Sequence, residues 1–126
     1  MDNSSPVKKI FDIRERTLKF SVSIIQLVSL LPKNAAGFAI ANQLIRSGTS
    51  IGANIEEAQD AASRKDFIRG LVISLKEARE TEYWLRVIKD AELISGSKLD
   101  EGLQEVNELI KILTTIVKKS KLKLAP

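Results

Sequence analysis

LKFSVSIIQLVSLLPKN, residues 18–34, combines an amphipathic helix, its stop and the cap of the next helix in one run. With the residues just before it, the run places Ile13, Thr17, Phe20, Ile24, Leu27 and Leu31 at alternating spacings of four and three, the period of one helix face. Leu18, Val22, Ile25 and Val28 fall between these positions and are expected to widen the same apolar face. Pro32 ends the helix, because it has no N–H to donate and biases the preceding residue away from helical angles. Asn34 is suited to cap the second helix. A link as short as Pro32 to Asn34 makes the two helices antiparallel neighbours.

The same period continues outward. A second helix is expected from about Ala35 to about Ala62, with Ile40, Leu44, Ser47, Ile51, Ile55 and Ala58 on its core face. It is rich in small residues. Gly48 and Gly52 each cost a helix roughly 1 kcal/mol relative to Ala, so their presence points to close approach by another helix. Ser63 and Asp66 open a third helix with Phe67, Leu71, Ser74, Ala78, Thr81, Leu85 and Ile88 facing inward, supported outside by Lys76 with Glu80 and Glu82 with Arg86. After Gly96, Ser97, Asp100 and Glu101 supply caps and negative charge for a fourth, whose stripe is Leu99, Leu103, Val106, Ile110, Leu113 and Val117. Four amphipathic helices on tight links specify an all-α, antiparallel up-down-up-down four-helix bundle. The organisation expected is an N-terminal arm over residues 1–10, the bundle over 11–119 and a basic tail over 120–126.

Composition narrows the chemistry. The 126 residues are 44% apolar and 29% charged, a globular balance, with a net charge of +4. No stretch is apolar and long enough to span a membrane, and residues 1–9 lack the apolar core of a secretory signal, so a cytoplasmic location is expected. The absence of Cys excludes disulfides and thiolate chemistry, and the absence of His excludes the Glu-x-x-His di-iron site that this fold often houses. Histidine acid–base catalysis and Ser-His-Asp triads go with it. No cofactor or metal is expected, and the chain is read as a non-enzyme.

Several residues invite a sharper reading. The run RSGTSIGAN, residues 46–54, is rich in Gly and Ser, yet it has no Lys before the Ser or Thr and no strand before it, so it is a small-residue helical seam and not a phosphate loop. Arg46, Ser50 and Asn54, four apart, look aimed at a partner helix. If helices two and three turn near Ala62 and Ser63, Arg46 comes level with Glu80 and within a turn of Glu77, an ion pair able to fix register. Trp84, beside Tyr83, is a candidate interface residue because tryptophan is enriched at contact sites. The seam or oligomer-interface set is thus Arg46, Gly48, Ser50, Gly52, Asn54, Glu77, Glu80 and Trp84.

Together, Leu30-Leu31-Pro32, the run QLIRSGTSIGANIEEA over residues 43–58, the start KDFI at residues 65–68 and KEARETEYWL at residues 76–85 resemble the bacterial four-helix-bundle family encoded by intervening sequences in 23S ribosomal RNA genes. The likeness spans about Phe11 to Val117. It implies a homopentameric ring of bundles and a relation to the accessory variability determinant proteins of diversity-generating retroelements, which bind nucleic acid and partner with a reverse transcriptase. It implies no catalytic activity.

In an up-down-up-down bundle the start of the first helix, the second link and the end of the fourth meet at one end. That groups Lys8, Lys9, Arg14, Arg16, Lys19, Arg64, Lys65, Arg69, Lys118, Lys119, Lys121 and Lys123 against fewer carboxylates, leaving the rest of the molecule net acidic. Such a surface attracts phosphate backbones by counterion release, without base specificity. The reading is a homo-oligomeric scaffold that binds RNA or DNA through this end; the alternative is a scaffold for a protein partner such as a reverse transcriptase, with the basic end serving solubility alone.

Overall fold

The computed structural model describes the backbone of residues 6–124 and the side chains of residues 13–124. Four helices make up its regular structure: α1 (Pro6–Val28), α2 (Ala35–Ala58), α3 (Arg64–Asp90) and α4 (Ser97–Leu122). Each packs on its neighbours in chain order and α4 returns to α1, whereas among the described residues the backbones of the diagonal pairs stay apart. That is the square of an antiparallel four-helix bundle. The α4–α1 side is the loosest of the four. Ile24, Leu44, Ile51, Leu71, Leu85, Val106 and Leu113 fill the centre. None of the helices is long and apolar enough to cross a membrane.

Local chemistry sets the ends. The Asn34 side chain accepts a hydrogen bond from the Gly37 N–H at 2.9 Å, and the Ser63 hydroxyl accepts one from the Asp66 N–H at 3.1 Å. The fourth helix differs from expectation: Ser97 is its first residue and not its cap. Gly96 takes the cap position with φ of 111° and no side-chain bond, because the chain leaves α3 through a conformation that glycine accepts and serine resists. The second helix stops at Ala58, short of Ala62, where the N–H groups of Gln59, Asp60 and Ala61 tighten onto the carbonyls three residues back. At the other extremes α1 starts at Pro6, a residue preorganised for a first helical position, and α4 runs on to Leu122. Helix therefore extends into residues 6–10 and 120–122, beyond the limits expected for the bundle.

The glycine seam lies inside the chain. A Cβ at Gly48 would stand 2.9 Å from Ile24 Cγ1, and one at Gly52 would stand 3.1 Å from Thr17 Oγ1, so α2 rides directly on α1 at both positions. Across the next side, between α2 and α3, the packing includes buried hydroxyl contacts. The Ser47 and Thr81 hydroxyls hydrogen-bond at 2.9 Å, and the Ser74 hydroxyl donates to the Ile51 carbonyl at 2.7 Å. No buried polar side-chain atom among the described residues lacks a partner. A satisfied hydroxyl ladder of this kind fixes register, since any slip leaves buried oxygens unpaired.

One expectation about α1 fails. Leu18, Val22 and Ile25 do not widen the core face; they are 63%, 49% and 54% exposed. At 100° per residue they sit on the side of the helix opposite Ile24 and Leu27, and a bundle helix has a single face turned to the core.

Candidate nucleic-acid interface

Antiparallel packing gathers part of the expected basic set at one end, whereas Arg16 and Lys19 lie farther along α1, beside Lys98, Glu101 and Glu105 in the first turns of α4. Arg64 and Lys65 are the first residues of α3, Arg69 lies about one turn on, Lys118, Lys119 and Lys121 occupy the last turns of α4, and Lys123 caps it. All of these are exposed. Lys8 and Lys9 lie outside the described side chains. The bundle's opposite end is marked by Lys89 and Asp100, which pair across α3 and α4 at 3.3 Å.

Ion pairing divides the set in two. Arg14 grips Glu56 across α1 and α2 with Nη2–Oε2 at 2.7 Å and Nε–Oε1 at 3.2 Å. That two-pronged bond holds the Glu56 carboxyl below the usual carboxylate range and pushes the Arg14 guanidinium up. Arg16 grips Glu105 of α4 in the same way, with Nε at 3.0 Å, and its guanidinium is likewise pushed up, by that hydrogen bond before any other cause. Lys19 leans on Glu15 at 3.3 Å and Arg69 on Asp66 at 3.7 Å. Arg64, Lys65, Lys118, Lys119, Lys121 and Lys123 form no ion pair among the described residues. Arg14 and Arg16 therefore act first as struts between helices. The unpaired cations are left facing solvent.

The other expected group assembles on the outside of α2 and α3. Arg46 reaches both Glu77, at 3.3 Å, and Glu80, and the Trp84 indole N–H donates to Glu80 at 3.2 Å. Glu80 thus faces Arg46 across the helices and not Lys76 along its own, and Glu82 with Arg86 makes no ion pair among the described residues. Tyr83 sits edge-on to Trp84 with ring centres 5.1 Å apart. Ser50 and Asn54 do not join: the Ser50 hydroxyl donates to the Arg46 carbonyl and the Asn54 amide to the Ser50 carbonyl, both within α2. A half-open groove of about 340 Å³ on the loose α4–α1 side, walled by Arg16, Phe20, Leu27, Lys98 and Gly102, has no sign in the periodicity of the sequence.

With the geometry in hand, comparison with known proteins places the chain. Among curated proteins none matches it. A crystal structure from Bacteroides thetaiotaomicron, described as a protein with unknown function from the S23 ribosomal protein family, matches with a TM-score of 0.81 and 42% identity, covering 87% of this chain and 98% of that one. The model of a family described as 23S rRNA-intervening sequence protein matches residues 9–115, which takes in most of all four helices. The chain belongs to the 23S rRNA-intervening sequence protein family.

Proposed function

We propose that this chain is a non-enzymatic, self-associating scaffold, a homo-oligomeric ring of bundles, that binds the phosphate backbone of RNA or DNA through its basic end. The observation that carries the reading is the group Arg64, Lys65, Lys118, Lys119, Lys121 and Lys123, gathered at one end and exposed, with no ion pair among the described residues. Cations already tied to carboxylates gain little by exchanging one anion for another; unpaired ones release the counterions condensed on a nucleic acid. Changing Lys118, Lys119, Lys121 and Lys123 to Gln leaves the buried stripe of α4 intact and weakens binding. The slope of log affinity against log salt flattens by about 0.7 unit per lysine for single strands and about 0.9 for duplex. If the unaltered protein binds neither RNA nor DNA in a salt-sensitive way, the nucleic-acid reading fails.

A second reading, a scaffold for a protein partner such as a nucleic-acid enzyme, is favoured by a different observation. The outward side of α1 carries Leu18, Val22 and Ile25 in solvent, and a helix that is apolar on both sides suits burial on both. Retained binding to a partner protein by the four-Gln variant, with nucleic-acid binding absent in both forms, would select it.

A further inference from the structure

The exposed large apolar side chains along the helical flanks fall into two groups. One covers the outside of the α1–α2 seam. Arg14 and Glu56 meet there, and along the same rows lie Leu18 and Ile25 on α1 and Ile45 and Phe38 on α2, with Val22 beside them. The other lies on α3, where Val72 and Tyr83 stand three turns apart on one row with Lys76 and Arg79 between them and Ile73 alongside. Since α1 and α3 are diagonal in the bundle, the two groups occupy different flanks.

We infer that the α1–α2 flank of one copy docks on the outer face of α3 of a second copy, head to tail. This rests on the self-association proposed above and names its two surfaces. Leu18, Val22, Ile25, Phe38 and Ile45, exposed by 63%, 49%, 54%, 59% and 37%, present on the order of 500 Å². That is the apolar share of a standard interface of about 800 Å² per partner. Charge decides which surface meets which. Lys76 and Arg79 make no ion pair among the described residues, so two α3 faces set against each other oppose like charges. Between Leu18 and Ala53 the rows through Leu18, Val22, Ile25, Phe38 and Ile45 are bordered by Lys19, three residues before Val22, whose charge leans on Glu15 at 3.3 Å, so this flank faces α3 with less of that repulsion. Pairing the α1–α2 flank with itself leaves Val72, Ile73 and Tyr83 in water, whereas one unlike contact covers both groups. Contacts between unlike surfaces propagate from copy to copy and close into a ring when the rotation allows.

The test uses the full chain and two exposed positions, Val22→Lys on one flank and Val72→Lys on the other, with Ile25→Lys and Tyr83→Lys as second choices should either variant lose helicity. Light scattering after size exclusion is expected to give the unaltered protein a mass several times 14.0 kDa and each variant the mass of one chain. Mixed in equal amounts, the two variants form a two-chain species, because each supplies the surface that the other has lost. A monomeric unaltered protein, a helical variant that keeps the oligomer's mass, or a mixture that stays monomeric overturns the inference; the last points to contact between like surfaces. Salt-dependent binding of RNA and DNA, read on the same samples, is a separate outcome, so an unaltered protein that binds but runs as a single chain sinks this inference and leaves the basic-end reading standing.

Discussion

Between Thr17 and Ile55, a span that takes in most of α1 and α2, the charged side chains are Lys19, Lys33 and Arg46, with no carboxylate at all. Along α3 and α4, by contrast, charged side chains of both signs recur every few positions. Both halves bury the same kind of core stripe, so the difference lies in what surrounds it. The first half joins its helices through close contacts at Gly48 and Gly52 and leaves apolar side chains outside with no carboxylate among them; the second sets its exposed Val72, Ile73 and Tyr83 among charged side chains of both signs. Hydrophobic periodicity alone makes a bundle helix. The residues on its remaining sides decide whether it ends in water or against another surface.

Glycine gives the comparison its hardest test. Gly48→Leu forces a branched side chain where even a Cβ crowds Ile24, and is expected to cost about 3 kcal/mol and to lower the melting temperature by on the order of 10 °C. An unchanged melting curve would mean that α2 does not ride on α1 as described. Gly102→Ala in α4 is the counterpart. Its Cβ would meet only Leu85 at 3.8 Å and Leu27 at 3.9 Å, ordinary contacts, so the gain in helix propensity of about 0.5–1 kcal/mol raises the melting temperature by a few degrees. Destabilisation there would place α4 closer to its neighbours than the contacts allow.

The smallest expected effect concerns the strut across the first half. Glu56 titrates below its ordinary value because Arg14 holds it, so the pair stabilises the fold while the carboxyl is ionised. The advantage of the unaltered protein over Glu56→Gln is therefore complete above the ordinary carboxylate value, shrinks as pH falls from that value through the depressed one, and is gone below it. Both groups are largely in water, which keeps the effect small and salt-sensitive. Urea titrations at neutral and acid pH measure it, and a difference that grows on acidification contradicts the assignment.

How far the sequence carries the reading can be traced residue by residue. The four helices, the Asn34 and Ser63 caps, the close approach at Gly48 and Gly52 and the meeting of Arg46 with Glu77 and Glu80 all follow from period, cap chemistry and hairpin register. The outward turn of Leu18, Val22 and Ile25 was hidden, because a helix with two apolar sides reads in a linear pattern as one wide face. The capture of Arg14 and Arg16 by Glu56 and Glu105 was equally out of sight, since each partner lies on another helix and its register depends on three-dimensional packing. Ser97 failed as a cap through backbone geometry: the positive φ at Gly96 fixed where α4 begins.

The crowding of unpaired cations at one extremity also governs how the molecule moves before it binds anything. Its longest edge is close to α4, whose 26 residues span roughly 39 Å. A rod with its positive charge at one tip and net negative charge along the remainder feels a torque near a polyanion as well as a pull, and turns tip-first as it diffuses in. Encounters are then oriented and fast in dilute buffer, and become slower and more random as added salt shortens the reach of the field. Under the proposed function, arrival by the tip would keep the long sides of the rod clear of the polyanion and available to other molecules.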